Sequence, residues 1–506
     1  MTDTRDIGDR HLRAADGLKD SADAKPASVR IIVADEWASS RAGQLLVSCL
    51  VNLLARQAGI VEHVEIVATE TPLVISLPSG ATHLRFPQCL EDLGRWSVNK
   101  RVTVSVTPNS SLCDYSIVIG HVGGSTFLSG TVYVVVGDGW NAWIGEPSHA
   151  PADLTPRSEN PLGPFLAAAL ASGEIFKRSR GLLRGSYLTA NGFSLWSGDA
   201  SVNWGDLVNG PELAGHTLPP THLVGAGAVG NAFAYVVTYS QFRDAYVVAI
   251  DDDCYDSTNL NRCLAAGWAD IGQPKVDALA HLLISANLGA FPYPHTVNDY
   301  IIDQRSGLRP DAAQEANELD FKIVLSCVDK GVSRQHVQGL HPHLLAGAST
   351  LDLRAQSNLY GTWPGAACLG CYNRAERDGD KLRALEMKVR GLPTDKRREF
   401  FLANGLDTDA IEKYLADPQC GTVGETALRD FAIKPPQDFS AGFVSLTAGL
   451  LLASALFRQL FFSGAPDRAD MTTLNFLTGG FMDSGLSADP GCELNCGRHR
   501  AVAKQI

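Results

Sequence analysis

Residues 221–230 read Thr-His-Leu-Val-Gly-Ala-Gly-Ala-Val-Gly, an apolar strand that runs directly into a glycine-rich turn. A helical pattern follows from Asn231 to Ser240, and a second strand, Tyr246 to Ile250, ends in three aspartates at 251–253. This order is typical of a nucleotide-binding βαβ unit in a doubly wound α/β sheet. The residues predicted to bind the nucleotide in this unit are Gly225, Gly227, Gly230, Asp251 and Asp253.

Two cations and a further carboxylate follow this unit. Arg262 lies just beyond the second strand, Lys275 follows it by thirteen residues, and Asp329 follows another buried strand, Phe321 to Leu325. Because the carboxyl ends of parallel strands meet at one edge, these side chains should face one crevice. They suit a triphosphate with Mg²⁺, whose negative charge grows as pyrophosphate leaves. Two alternatives stay open: each cation alone could be a solvated surface charge, and the glycine turn alone would suit a nicotinamide dehydrogenase.

The N-terminal half repeats the same order of elements. The matching segments are Val29–Ala34, Gly43–Arg56, Tyr115–Ile119, Thr131–Val136 and Pro164–Phe176. Where the glycine turn should stand, residues 35–40 read Asp-Glu-Trp-Ala-Ser-Ser, which lacks glycine and adds two negative charges. The pattern therefore predicts a degenerate copy over residues 1–184 that keeps the fold without binding nucleotide. An unrelated α/β domain is the alternative.

Two further segments divide the chain. Residues 185–220 are rich in Gly, Asn, Ser and Pro, which predicts a connector between the halves. Residues 374–420 are charged and helix-patterned, and we expect them to form a helical insertion. The second domain would then consist of residues 221–373 and 421–506.

The motifs GAGAVG, AIDDD, STNLNR, DIGQPK and SCVD together resemble the adenylation domain of the E1/ThiF/MoeB superfamily. The resemblance covers roughly residues 221–500. It implies that Asn259, Arg262 and Lys275 hold the phosphates of ATP and that Asp329 holds Mg²⁺. Arg334 would follow on the next helix. The sequence departs from the family where Cys263 replaces a usual Gln and where Ser326–Lys330 replaces Asp-Cys-Thr-Asp-Asn.

Four of the eleven cysteines form two pairs by spacing, Cys368 with Cys371 and Cys492 with Cys496. Four thiolates suit a closed, structural zinc site. Proteins of the same superfamily carry similar pairs, the second usually after Pro-Gly-Cys. Here that pair is spaced by three residues, so His499 is an alternative fourth ligand. Two unrelated cysteine pairs are the other interpretation.

Cys420 follows Asp417-Pro418-Gln419, directly after the predicted insertion. The place resembles the Pro-x-Cys-Thr context of the thioester-forming cysteine in E1 enzymes, although Gly421 stands between Cys and Thr. A thiolate there could capture an acyl-adenylate. A cysteine without a chemical role is the alternative.

Composition limits the partners of the chain. The net charge of −12 argues against a nucleic-acid binder, because phosphate contacts need a basic face. The charged N-terminus lacks the apolar core of a secretory signal. The apolar run from Gly442 to Phe457 is short and interrupted, which favours a buried helix over a membrane span. We therefore expect a cytoplasmic protein with no membrane partner.

The resemblance implies an E1-like enzyme that adenylates the C-terminal carboxylate of a ubiquitin-like protein. The product would pass to a thioester on Cys420 and then to an E2-like conjugating enzyme. A fused pair of one degenerate and one complete half favours this function, and Bil-type conjugation operons of antiviral defence are the candidate setting. Arg10 or Arg13 would reach the phosphates from the N-terminal half. Sulfur-carrier activation of the ThiF/MoeB kind is the alternative, and an NAD-dependent oxidoreductase is a distant third.

Overall fold

A computed structural model describes residues 10–12, 26–80, 85–99, 101–106, 112–121, 127–181, 187–306, 321–361, 366–373, 378–419, 421–433, 439–492 and 494. The strands of the N-terminal half are β1 (Ala27–Val33), β2 (Val61–Val67), β3 (Thr71–Pro72), β4 (Arg85–Phe86), β5 (Thr103–Ser105), β6 (Tyr115–Ile119), β7 (Thr131–Asp138), β8 (Asn141–Gly145), β9 (Ala190–Ser194) and β10 (Ala200–Ser201). Its helices are α1 (Asp35–Ser39), α2 (Arg41–Ala55), α3 (Cys89–Val98) and α4 (Leu162–Ser179).

The C-terminal half has its own sheet. Its strands are β11 (Thr217–Val224), β12 (Asp244–Ile250), β13 (Gly289–Tyr293), β14 (Ile323–Ser326), β15 (Leu344–Leu351), β16 (Arg354–Tyr360), β17 (Met471–Asn475) and β18 (Gly480–Ser484). The helices from here on are α5 (Ala228–Tyr239), α6 (Lys275–Ser285), α7 (Val297–Ser306), α8 (Gly331–Gln338), α9 (Asp378–Arg390), α10 (Thr394–Ala403), α11 (Thr408–Ala416), α12 (Val423–Ile433) and α13 (Gly442–Phe461).

The two sheets have the same topology. The first has the strand order β5-β2-β1-β6-β7-β8-β9-β10, and the second has β13-β12-β11-β14-β15-β16-β17-β18. In each sheet the first five strands are parallel, and antiparallel pairing adds the last three. In each sheet the strand order reverses beside the first strand of the half, β1 or β11. Ligands bind at this point, called the switch point, in sheets of this kind. The predicted tandem of Rossmann-like folds is confirmed.

The degenerate half fills its own switch point with a side chain. Ala34 follows β1 where Gly225 follows β11, and α1 begins at the next residue. The Trp37 indole is fully buried, and its Nε1 donates a 2.6 Å hydrogen bond to the carbonyl of Leu154. A Cβ at Gly120, the residue after β6, would lie only 2.3 Å from Trp37 Cδ1. The indole thus packs between the ends of β1 and β6, where a nucleotide would have to enter.

The first sheet extends into the segment predicted to be a connector. Strand β9 pairs with β8, and β10 pairs with β9. Phe193 and Leu195 are fully buried there. Their Gly- and Asn-rich surroundings resemble a loop in sequence, but the free edge of β8 supplies a pairing partner. Residues 190–201 therefore belong to the N-terminal fold, which corrects the boundary at residue 184.

The helical insertion is longer than predicted. Helices α9 to α12 share one apolar core, which includes Val389, Phe401, Tyr414 and Leu428. Because Leu428 lies on α12, this helix belongs to the insertion and not to the second sheet domain. The insertion therefore ends at Ile433 rather than at residue 420.

The two halves pack through their long apolar helices. Phe176 on α4 and Phe443 on α13 have ring centroids 5.3 Å apart, and the buried Lys177 donates a 2.8 Å hydrogen bond to the carbonyl of Phe476. Helix α13 is long and apolar enough to cross a membrane by composition, yet 78% of its most apolar window is buried inside the protein. It is a core helix between the halves.

Candidate functional site

The glycine turn after β11 is open toward the crevice. Gly225 has φ of +99°, and a Cβ there would lie 2.7 Å from the carbonyl of Cys327. A Cβ at Gly230 would lie 1.9 Å from the Gly225 oxygen, whereas one at Gly227 would meet nothing within 4 Å. Close packing thus requires glycine at positions 225 and 230. The free side at Gly227 lets a phosphate approach the backbone.

Asp251 ties the end of β12 to this turn. Its carboxylate accepts hydrogen bonds from the backbone N–H of Ala226 at 2.6 Å and of Asp253 at 2.9 Å. Burial raises the pKa of Asp251, against the opposing effect of Lys275. The carboxylate therefore lies at the predicted ribose position, beside the glycine turn.

Lys275 begins α6 and reaches back to the same aspartates. Its Nζ donates to Asp253 Oδ2 at 2.6 Å and lies 4.0 Å from Asp251 Oδ1. Burial alone would lower the pKa of Lys275, but the two carboxylates outweigh it and raise the pKa above its usual value. The crevice thus holds a fully charged ammonium group whose side chain is 10% exposed.

The Asn259–Arg262 segment is folded tightly by its own side chains. Asp256 caps a single 3-10 turn, Ser257–Asn259, by accepting from the N–H groups of Thr258 and Asn259. Arg262 Nη1 donates to the carbonyl of Thr258 at 2.6 Å and to Asn261 Oδ1 at 2.8 Å. These contacts fix both predicted phosphate ligands on one rigid turn.

Three charged groups interact across the crevice. Burial lowers the pKa of Arg262, and the neighbouring positive charge of Arg10 lowers it further, while Asp329 acts in the opposite sense. Asp329 is exposed at the carboxyl end of β14. Arg262 is therefore within electrostatic reach of both Arg10 and Asp329.

The Arg10–Leu12 segment is held between the halves. The ring Nε2 of His11 lies 2.8 Å from the carbonyl of Ala58, and Arg180 Nη1 donates to the His11 carbonyl at 2.7 Å. The N–H of Ser440, in the second half, donates to the carbonyl of Arg10 at 3.3 Å. Arg10 thus lies between the two halves, near Arg262.

A cavity of about 390 Å³ adjoins the end of β14. Its lining includes Ser326, Arg334, Gly347, Gln356, Asn358 and Tyr372. Arg334 does not point freely into it, because its Nε donates to the carbonyl of Val328 at 2.9 Å and its Nη1 contacts Asn373. The lining combines these polar groups with apolar side chains, among them Leu369, Met471 and Leu486, and such a mixed surface suits an extended peptide.

Three of the four predicted zinc ligands converge. The Sγ atoms of Cys368 and Cys492 are 3.5 Å apart, and those of Cys371 and Cys368 are 3.8 Å apart. A tetrahedral zinc with Zn–S bonds of about 2.3 Å requires sulfur separations of about 3.8 Å. The N–H groups of Cys368 and Asp489 point at Cys371 Sγ, which favours a thiolate. The residues present fit a structural zinc.

Several predicted residues lie outside the described part of the chain: Arg13, Cys420, Cys496 and His499. Of the other thiols near the crevice, burial raises the pKa of Cys263, and it raises that of Cys327 to about 12. Cys254 is exposed. The buried thiols are therefore protonated and poor nucleophiles at neutral pH.

Two further residues that the sequence did not mark bear on nucleotide binding. Trp37 fills the switch point of the degenerate half, and Arg56, directly after α2, donates to main-chain carbonyls of residues 260–266. The local signal for Arg56 in the sequence is its charge at the end of a mostly apolar helical segment.

Comparison with known proteins agrees with this architecture. The model of the ThiF family matches residues 221–487, and that of the BilD N-terminal domain matches residues 28–195. The chain belongs to the ThiF family.

Individual relatives are distant. The protein described as "Uncharacterized protein y4jF" from Sinorhizobium fredii (strain NBRC 101917 / NGR234) is 25% identical over 350 residues, 68% of this chain and 60% of that protein. The chain thus spans about 60% of the length of this curated relative. Escherichia coli MccB with AMPCPP and SeMet MccA is 12% identical, with a TM-score of 0.35 over 54% of this chain and 66% of MccB. MccB with ATP gives the same identity and TM-score, over 54% and 65%.

Proposed function

We propose that this chain is an E1-like activating enzyme that uses ATP and Mg²⁺ to adenylate the C-terminal carboxylate of a ubiquitin-like protein. One observation carries the proposal: an open glycine turn, two cations and a free carboxylate surround one switch point, while Trp37 fills the other. A single chain then has one nucleotide site, supported by a second half that has lost its own.

The groups in the crevice can carry out the adenylation step. An oxygen of the substrate carboxylate attacks the α-phosphorus of ATP, the bond to the β-phosphate breaks, and pyrophosphate leaves. The charge that develops on the phosphates is stabilised by Lys275 and Arg262, which burial keeps poorly solvated. Asp329 would hold Mg²⁺, which supplies further positive charge to the leaving pyrophosphate.

The cavity beside β14 supports a peptide as the acyl substrate. Ser326, three residues before Asp329, lines it, together with the amide side chains of Gln356 and Asn358, and its apolar lining residues could contact an extended chain. A nicotinamide dehydrogenase would need neither this cavity nor two cations beside the nucleotide phosphates. The NAD alternative therefore explains fewer of the observed contacts.

Thioester formation on Cys420 would follow adenylation. The thiolate attacks the acyl carbon, the bond from that carbon to the phosphate oxygen breaks, and AMP leaves with the oxygen. Cys420 precedes α12 by three residues, within the insertion, and the buried thiols Cys263 and Cys327 are protonated. Transfer to an E2-like enzyme completes the proposed sequence, for which we propose a cytoplasmic setting, and the match to the BilD N-terminal domain supports a Bil-type conjugation pathway.

The thioester separates conjugation from sulfur-carrier activation. With Cys420→Ala, pyrophosphate exchange should persist while the reductant-sensitive adduct with the small protein disappears. Cys254→Ala, an exposed cysteine beside the nucleotide crevice, is the matched control and should form the adduct normally. If the Cys420→Ala enzyme still forms the adduct, sulfur-carrier activation would explain the protein better than conjugation.

Arg10 would act as a further phosphate ligand delivered from the N-terminal segment. Its charge already influences Arg262, and Ser440 and Arg180 hold the segment in place. Arg13 shares the segment in sequence. Arg10→Ala and Arg13→Ala, measured separately, should show which arginine supports adenylation. Loss of the arginine that reaches the phosphates should lower the rate at saturating ATP, and loss of the other should not.

The test of the proposed function is exchange of labelled pyrophosphate into ATP. Exchange should require Mg²⁺ and a ubiquitin-like protein with a free C-terminus, and Asp329→Asn should abolish it without unfolding the chain. Tight NAD binding with no exchange under any of these conditions would refute the proposal.

A further inference from the structure

Arg56 is a buried guanidinium of the degenerate half whose partners lie mainly in the other half. It follows the last residue of α2 and is 0% exposed. Its Nε donates to Asn52 Oδ1 at 2.8 Å, and its Nη1 donates to the carbonyl of Leu260 at 2.6 Å. Its Nη2 donates to the carbonyls of Ala266 at 2.7 Å and Leu264 at 3.4 Å. One planar fork thus joins three carbonyls of the segment 260–266.

Neighbouring side chains of the degenerate half complete the same contact. Asn52 Nδ2 donates to the carbonyl of Leu264 at 3.1 Å, and Ser97 Oγ donates to Asn52 Oδ1 at 2.9 Å. The Trp96 ring lies 5.6 Å from the Arg56 guanidinium, and a Cβ at Gly267 would lie 2.4 Å from Trp96. Helices α2 and α3 therefore form a close-fitting seat for the segment.

The seated segment is continuous with the phosphate ligands. The N–H groups of Arg262 and Cys263 both donate to the carbonyl of Asn259 at 3.1 Å. Because this turn is so tight, a shift of Leu260 or Leu264 would move Asn259 and Arg262 with it. The position of both ligands is thus set from outside the nucleotide-binding half.

We infer that Arg56 is a positioning residue through which the degenerate half sets the geometry of the ATP phosphate site in the other half. The inference rests on the proposed function, because it assigns Asn259 and Arg262 to the phosphates of ATP. It also gives the nucleotide-free half a role in the reaction beyond covering apolar surface.

A lysine cannot take over this role. Its single ammonium group cannot reach Asn52, Leu260 and Ala266 together as the guanidinium fork does. The carbonyls that it leaves unpaired are buried and will move toward other donors. The segment should then lose its fixed position even where the fold survives.

The experiment compares Arg56→Lys with Arg30→Lys in the full chain. Arg30 is another buried arginine of the same half, and its hydrogen bonds to Glu65 and to the carbonyl of Phe127 stay within that half. Dissociation constants for ATP-Mg²⁺ and for AMP are measured by calorimetry, and amide hydrogen exchange is followed over residues 259–266. AMP serves as the reference because it lacks the two phosphates that leave as pyrophosphate.

We expect Arg56→Lys to weaken ATP binding about tenfold and AMP binding less than about threefold, because the change displaces phosphate ligands by a fraction of an ångström to an ångström. Exchange over residues 259–266 should speed up. Arg30→Lys should leave the ratio of the two affinities unchanged at a similar loss of thermal stability. Asn52→Ala is a milder change to the same seat and should shift the ratio in the same direction, which covers a failure of Arg56→Lys to fold.

Each other outcome contradicts a defined part of the account. Wild-type protein that binds no ATP overturns the proposed function and this inference together. Wild-type protein that binds ATP, with an unchanged affinity ratio in Arg56→Lys or Asn52→Ala, overturns only the role of Arg56. Equal shifts of the ratio in Arg56→Lys and Arg30→Lys assign the effect to general stability and also overturn it.

Discussion

The ammonium group of Lys275 lies 2.6 Å from the Oδ2 atom of Asp253, in a crevice where no lysine–aspartate pair is needed for packing the sheet. Asp253 is 67% exposed, so the pair closes no part of the core. The lysine is better explained by a phosphate that replaces Asp253 as its partner when nucleotide binds.

Lys275→Met should lower kcat/KM for pyrophosphate exchange by about 100-fold, because it removes one charge-assisted contact to the leaving phosphates. Lys396→Met, a surface lysine on the insertion helix α10, should have no effect. The measurement is the exchange rate as a function of ATP concentration. Unchanged kinetics in Lys275→Met would remove this residue from the phosphate site.

Trp37→Ala should destabilise the fold without creating a second nucleotide site. Loss of the fully buried indole leaves a cavity and should cost about 3–5 kcal/mol of unfolding free energy. The loop still lacks glycines and keeps Asp35 and Glu36, which repel phosphate. Denaturant unfolding and the stoichiometry of ATP binding test this: one ATP per chain is expected in both proteins, and two in the variant would contradict it.

Cys371→Ser should release zinc and loosen the C-terminal half, because a structural tetrathiolate stabilises the folded state directly. Cys254→Ser, at an exposed position, should retain the metal and the wild-type unfolding temperature. Metal analysis by mass spectrometry, with thermal unfolding, checks both. Well-folded wild-type protein without zinc would refute the site.

Acid should release the Arg10–Leu12 segment. Burial lowers the pKa of His11 to about 4, so the docked ring stays neutral, whereas a released histidine binds a proton near pH 6.5. The docked state therefore has its full stability above about pH 6.5 and loses it as the pH falls toward 4.

Limited proteolysis of the N-terminal segment at pH 7.5 and pH 5.5 measures this effect. Cleavage should be faster at the lower pH in the wild type, after correction for the protease's own pH profile. His11→Asn has no titrating ring and should show equal cleavage at the two pH values. A pH-independent wild type would contradict the role of His11.

Local sequence patterns predicted the elements that carry the site. Elements β11, α5 and β12 lie within a few residues of their predicted bounds, because buried parallel strands and a glycine turn leave a strong local signal. Gly225 and Lys275 could be placed for the same reason.

Long-range packing could not be predicted in this way. Arg56 contacts carbonyls about 200 residues further along the chain, and main-chain acceptors impose no residue type on their partners. Strand β9 lies in a Gly- and Asn-rich segment and forms because the edge of β8 is free. The predicted boundary at Cys420 cut α12 from the insertion, because no local pattern shows that Leu428 shares the insertion core.

The measurement that tests the central claim most directly follows oxygen from the substrate carboxylate. A ubiquitin-like protein whose C-terminal carboxylate carries ¹⁸O is incubated with the enzyme, ATP, Mg²⁺ and a thiol acceptor, and the nucleotide products are analysed by mass spectrometry. Attack of the carboxylate on the α-phosphorus, followed by acyl transfer, predicts AMP that contains one ¹⁸O atom together with unlabelled pyrophosphate. Label in inorganic phosphate with ADP as the nucleotide product, or AMP without label, would contradict adenylation of the carboxylate.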